Sequence, residues 1–158
     1  MNRIHKFAFL LILISLATGC INRAGANWDS STNVNNVKSF YVIKLGPDER
    51  GINRLIADKL VAMGFIATTG LDVDTPPNVD IVVDYADRWR WDITMYMLEL
   101  TITFRDPKSD VPLGSGNSLH TSLTRKSPEE MVDEVLTNIF SKASGSKVSL
   151  FGNFASFG

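Results

Sequence analysis

The chain has 158 residues, 16 basic against 17 acidic side chains and a formal charge of −1; 44% of it is hydrophobic, with one Cys and two His. This length suits one domain, and the composition excludes a wholly disordered chain and a disulfide-built scaffold. With no excess of Lys and Arg to neutralise phosphates, a nucleic-acid partner is excluded as well.

The first twenty residues, MNRIHKFAFLLILISLATGC, carry Arg3 and Lys6 and no acid. A run from Phe7 to Leu16 follows, apolar except for Ser15, and then the small residues Ala17-Thr18-Gly19. This is the build of a secretory signal peptide. The run is about half of the roughly 20 residues that a helix needs to span a bilayer, so a permanent transmembrane anchor is not expected. Leu16-Ala17-Thr18-Gly19-Cys20 resembles the lipobox of bacterial lipoproteins, with Ala17 where Leu is more usual. The resemblance implies cleavage before Cys20, with diacylglycerol on its sulfur and acylation (a palmitate or similar chain) of its new amino group. A thiolate is the side chain best suited to accept such a group. Ile21 in place of Asp after the cysteine implies passage to the outer membrane, with the rest of the chain facing the periplasm. Residues 1–19 are therefore read as signal peptide and His120 as the only histidine that remains.

Residues 20–36 (CINRAGANWDSSTNVNN) show no apolar period and read as a lipidated cysteine on a flexible tether. Trp28, its one large apolar residue, is expected to pack on the domain edge or at the membrane interface. Val37–Leu45 is β-branched and aromatic, a strand. Gly46-Pro47-Asp48 breaks it and is placed to cap a helix, whose stripe is Ile52, Leu55, Ile56, Leu60 and Met63. Gly64 stands where a left-handed terminator is wanted. A short strand over Phe65–Thr69 and a loop over Gly70–Asn78, with Pro76-Pro77, come next.

From Val79 the pattern has a period of two. Val79, Ile81, Val83, Tyr85, Trp89, Trp91, Ile93 and Met95 share one phase; Tyr96, Leu98, Leu100, Ile102 and Phe104 share the other. A change of phase needs a turn or a bulge, placed here near Asp92–Tyr96. Two long antiparallel strands or one strongly bent strand would both satisfy it. Asp106–Asp110 is a turn and Val111–Leu123 a more polar strand. Ser127-Pro128-Glu129-Glu130 is a capping box with proline at the first helical position. The helix it opens carries Met131, Val132, Val135, Leu136, Ile139 and Phe140 and is expected to end at Gly145. The order β-α-β-β-β-β-α predicts an α+β fold over 37–145, a two-layer sandwich of a mostly antiparallel sheet with two helices on one face. Residues 146–158 read as a Gly/Phe-rich tail in which Phe151, Phe154 and Phe157 recur every third residue.

The catalytic inventory is thin. Ser118, His120 and Ser122 would share one face of a strand, the only hint of a serine hydrolase, but no G-x-S-x-G nucleophile turn is present. One His with scattered carboxylates is not a metal-ligand set, and neither a dinucleotide fingerprint nor a P-loop occurs, so no cofactor is expected. The more informative motif is Arg88-Trp89-Arg90-Trp91. On a strand its guanidiniums point one way and its indoles the other, and Arg with Trp is the composition of binding hot spots. These four residues and the three tail phenylalanines are the candidate binding surface. Trp89, Trp91, Met95 and Met97 would alternatively line a helix–sheet cleft for a lipid or other apolar ligand.

The lipobox, the L-V-A-M-G-F helix end at Leu60–Phe65, the V-D-I-V-V-D-Y strand at Val79–Tyr85, F-R-D-P-K-S-D at Phe104–Asp110 and the Gly-Ser-Gly strand before the capped helix together resemble a family of small Gram-negative outer-membrane lipoproteins. A looser likeness is to accessory lipoproteins of envelope machines, such as the lipoprotein partner of the lipopolysaccharide translocon. What the resemblance implies is fold and location, and a non-enzymatic role: membrane attachment through the N-terminal lipid and an envelope protein as partner.

Overall fold

The structure, a computed structural model, describes residues 22–46 and 49–152, the stretch 146–152 by its backbone alone. The signal peptide, Cys20, Phe154, Phe157 and the side chain of Phe151 lie outside the described residues. The strands are β1 (Arg23–Trp28), β2 (Ser39–Ile43), β3 (Ile66–Gly70), β4 (Ile81–Asp92), β5 (Thr94–Arg105) and β6 (Pro112–Leu119); the helices are α1 (Ile52–Ala62) and α2 (Pro128–Gly152). The strands form one sheet in the order β1-β6-β5-β4-β2-β3. Pairing is antiparallel from β1 to β4 and parallel from β4 through β2 to β3. Both helices pack against the same core and against each other, so the chain has an α+β fold of two layers, as the element order predicts.

The core forms because one phase of every strand meets the helix stripes. Phe40 and Val42 of β2, Ile81, Val83 and Tyr85 of β4, and Leu100, Ile102 and Phe104 of β5 face Ile52, Ile56 and Leu60 of α1 and Met131, Val135, Leu136 and Ile139 of α2. At its centre Phe40, Phe65, Phe104 and Phe140 lie with ring centroids 5.0–6.2 Å apart, mostly edge-on or tilted. Such arrangements add to the free energy of burial itself. The opposite sheet face carries a smaller cluster of Tyr41, Val79 and Val82, with the Tyr41 hydroxyl donating to the Leu71 carbonyl at 2.8 Å.

Several local expectations match the structure. Glu130 N–H donates to Ser127 Oγ while Ser127 N–H donates to a Glu130 carboxylate oxygen at 2.7 Å, a reciprocal cap for α2. Gly64 sits at φ 94° after α1. The phase change resolves into two long antiparallel strands. The chain turns at Ile93, where Asp92 pairs with Thr94, and the ladder slips by one residue between Arg88 and Trp89. Arg88 pairs with Glu99 but Trp89 with Met97, so Leu98 is the extra residue of a bulge.

Three expectations are corrected. Residues 20–36 are not all tether. Arg23–Trp28 is the edge strand β1, Val34–Asn36 forms a 3-10 turn, and Trp28 is buried edge-on against Phe104 at 6.3 Å. The strand was hidden because Arg23, Gly25 and Asn27 face solvent and Ala26 is the only other core-packing residue, leaving no apolar alternation to read. Second, α1 is capped by Gly51 at φ 72° with no side-chain cap; Pro47 and Asp48 lie outside the described residues. Third, α2 runs through Gly145 to Gly152. One glycine costs a helix about 1 kcal/mol and does not stop it.

Candidate functional site

The Arg88–Trp91 motif lies on the outer half of the β4–β5 hairpin, which extends past the helices. Strand alternation places both indoles on the helix side, but they meet different surroundings. Trp89 is half-buried against the core, its ring under the Arg50 guanidinium at 4.3 Å, and its indole N–H donates to an Asp87 carboxylate oxygen. Trp91, two residues on, has no helix over it and is 68% exposed. Its register partner Met95 is 48% exposed, and Ile93 at the turn 86%. On the other side, Arg88 pairs with Glu99, while Arg90 is exposed and has no ion-pair partner among the described residues.

Arg125 fixes this tip. Its guanidinium donates to the Asp92 carbonyl at 2.9 Å, to the Asp92 carboxylate at 3.2 Å and to Thr94 Oγ1 at 2.7 Å, and it lies 4.5 Å over the Tyr96 ring. Arg125 follows a 3-10 turn, Ser122–Thr124, whose Leu123 is 83% exposed. In the same turn Thr124 Oγ1 donates to Asn22 Oδ1 at 2.5 Å. The hairpin tip and the first described residues are thus tied through one short segment. Sequence reasoning missed Arg125 and Leu123, since neither belongs to a motif and only the fold brings them beside the hairpin.

The three proposed parts of a hydrolase do not assemble as one. Ser118 and His120 are buried, and both direct their protons to the same oxygen of Glu134 on α2, Ser118 Oγ at 2.5 Å and His120 Nε2 at 2.8 Å. Lys126 Nζ holds the other oxygen at 2.7 Å. Burial would raise the Glu134 pKa, but the hydrogen bonds from Lys126, Ser118 and His120 outweigh it and lower it to about 2. A permanent carboxylate between serine and imidazole is a structural strut joining β6 to α2, not a base poised beside a nucleophile. Ser122 belongs to the 3-10 turn, where its carbonyl accepts from Arg125.

The apolar cleft is corrected too. Met97 is buried in the core, while Met95 and Trp91 lie outside it, so among the described residues the four are divided between core and surface. Of the three tail phenylalanines, only the backbone of Phe151 is among the described residues, on α2. Glu134, near the start of α2, meets the Ser118–His120 end of β6, whereas Phe140 packs on Phe104. The helix therefore carries Phe151 away from Arg88–Trp91. No group of three or more metal-ligating side chains occurs among the described residues, and no helix among them is long and apolar enough to cross a membrane.

No protein-family model matches the chain, and no curated protein is significantly similar to it. Solved structures do match. One is the PelC dodecamer from Paraburkholderia phytofirmans, with TM-score 0.50 at 14% identity over 78% of this chain and 97% of that chain. A single-substitution variant of the same dodecamer in another crystal form gives 0.50 at 15% identity with the same coverage. At such identity the likeness is one of fold: nearly the whole of PelC is similar to the α+β domain described above.

Proposed function

We propose that the protein is a non-enzymatic lipoprotein of the bacterial outer membrane, acylated at Cys20, whose periplasmic domain acts as one subunit of a multi-copy envelope assembly. The observation that carries this reading is the PelC-like fold, which in PelC is the subunit of a dodecamer. The lipobox supports the location. The outer face of the β1-β6-β5 half of the sheet supports the assembly, being broad, polar and without a helix over it: Arg23, Gly25 and Asn27 stand beside Ser115, Asn117, Thr101 and Thr103. A flat face of polar residues can be covered by another subunit or an envelope protein whose own donors and acceptors pair with it, since polar groups are buried at low cost only when hydrogen-bonded.

The test is extraction of the full-length product from membranes in mild detergent. Peptide mass spectrometry reads Cys20, and native mass spectrometry with in-membrane crosslinking reads the stoichiometry. An acylated Cys20 and a discrete oligomer, or a crosslinked envelope partner, are expected. A monomer at all concentrations with no crosslinked partner overturns the assembly; an unmodified thiol overturns the anchor.

A further inference from the structure

The exposed apolar residues Trp91, Ile93, Met95 and Leu123 gather at one end of the molecule, on two segments that Arg125 holds together. The register shows which end this is. Arg23, the first residue of β1, pairs with Leu119, which pairs with Glu99, which pairs with Arg88; the hairpin tip lies beyond that line. Position 20 is only three residues upstream of Arg23, within ~10 Å of extended chain. Ile93 is five residues past Arg88, ~17 Å along the strand. The start of β1, from which position 20 is no more than ~10 Å of chain away, and the apolar tip therefore lie toward the same end of the sheet, a separation that a lipid interface roughly 5–10 Å deep can accommodate.

The charges around the tip fit the same occupant. Arg23 and Arg90 have no ion-pair partner among the described residues, and Arg88 and Arg125 are exposed or partly so. Against these stand Glu99 and Asp92, paired to Arg88 and Arg125, and Asp87, which accepts from Trp89. Four arginines thus stand against three carboxylates, a surplus of one positive charge behind an apolar wedge with Trp at its flank. Such a wedge matches an interface of acyl chains under anionic headgroups, where Trp settles and long basic side chains reach the phosphates. Ile93 adds an independent sign. It is β-branched at φ 60°, a conformation suited to Gly or Asn, and it is almost fully exposed. Neither its backbone nor the core requires an isoleucine there, so its side chain serves something outside the domain.

From this arrangement we infer that the β4–β5 tip, with Leu123, is a second membrane contact that inserts into an anionic lipid surface and fixes the domain's tilt on it. The inference rests on the lipid-anchored reading for its geometry, but its test uses protein without acyl chains. The chain from residue 20 onward, carrying Cys20→Ser, is mixed with vesicles of phosphatidylethanolamine and phosphatidylglycerol, and with phosphatidylcholine alone. Cosedimentation and a blue shift of Trp emission are read. Binding to the anionic vesicles that weakens with added salt is expected, with at least a tenfold loss of partition in the Trp91→Ser, Ile93→Asn double variant. Val111→Ser, an equally superficial change at the far turn, is expected to leave it unchanged; circular dichroism confirms that the variants are folded. No binding of the parent protein, or equal binding of the double variant, overturns the inference. So does a double variant that shifts oligomeric state and not partition, which would make the tip a contact with a second copy. An unmodified Cys20 in cells would sink the anchor alone and leave the vesicle result standing.

Discussion

Gly116 on β6 lies directly beneath Ile139 of α2: a Cβ at Gly116 would stand 2.8 Å from Ile139 Cγ1 and 3.1 Å from Val135 Cγ1. The helix can approach the sheet this closely because β6 presents Gly114, Gly116 and Ser118 on its inner face, with the Trp28 ring over Gly114. The run of small residues on the inner face of β6 is what seats α2.

Gly116→Val is expected to force the helix outward and cost about 1–3 kcal/mol by overpacking. For a domain of this size each kcal/mol lowers Tm by about 2–6 °C. A thermal melt of the variant that matched the parent would show that α2 does not sit where described.

Glu134 ties acid sensitivity to the same helix. Its folded pKa of about 2 lies below the ordinary 4.5, so its contribution is complete above pH 4.5 and drains away as pH falls toward 2. The shift corresponds to about 3 kcal/mol. Glu134→Gln is expected to be less stable at pH 7, leaving Lys126 without its counter-charge, and to lose stability less steeply between pH 4.5 and 2. Urea midpoints measured across that range check both slopes.

Ile93→Asn is expected to raise stability by about 1 kcal/mol, because asparagine tolerates the left-handed conformation that a β-branched residue resists. Loss of stability in this variant would mean that the Ile93 side chain packs on the domain.

Cys20→Ser is expected to move the protein from the membrane fraction to the periplasm, or to leave it with an uncleaved leader. Sucrose-gradient fractionation with immunodetection decides it, and undiminished outer-membrane recovery would refute acylation as the anchor.

Much of the fold was legible because its signals are local. The stripe Ile52–Met63, the reciprocal Ser127/Glu130 cap and the alternation from Val79 onward each need only nearby residues to be interpreted. β1 was illegible for the opposite reason: its pairing with β6, nearly ninety residues away in the chain, gives it strand form, and its own residues are small or polar. At the candidate site, the sequence placed the Arg88–Trp91 residues on alternating sides but not their depth. Trp89 and Trp91 have the same phase, and only the point where the helices stop distinguishes a core indole from an exposed one. Arg125 and Leu123 could not be joined to them without the tertiary path of the segment after β6.

The placement of β1 has a mechanical meaning. If Cys20 is held in a bilayer, any force drawing the domain away pulls along the axis of this strand, and its six residue pairs with β6 bear the load in shear together instead of opening one after another. Trp28, wedged at the far end of the strand, acts as the stopper on the cord.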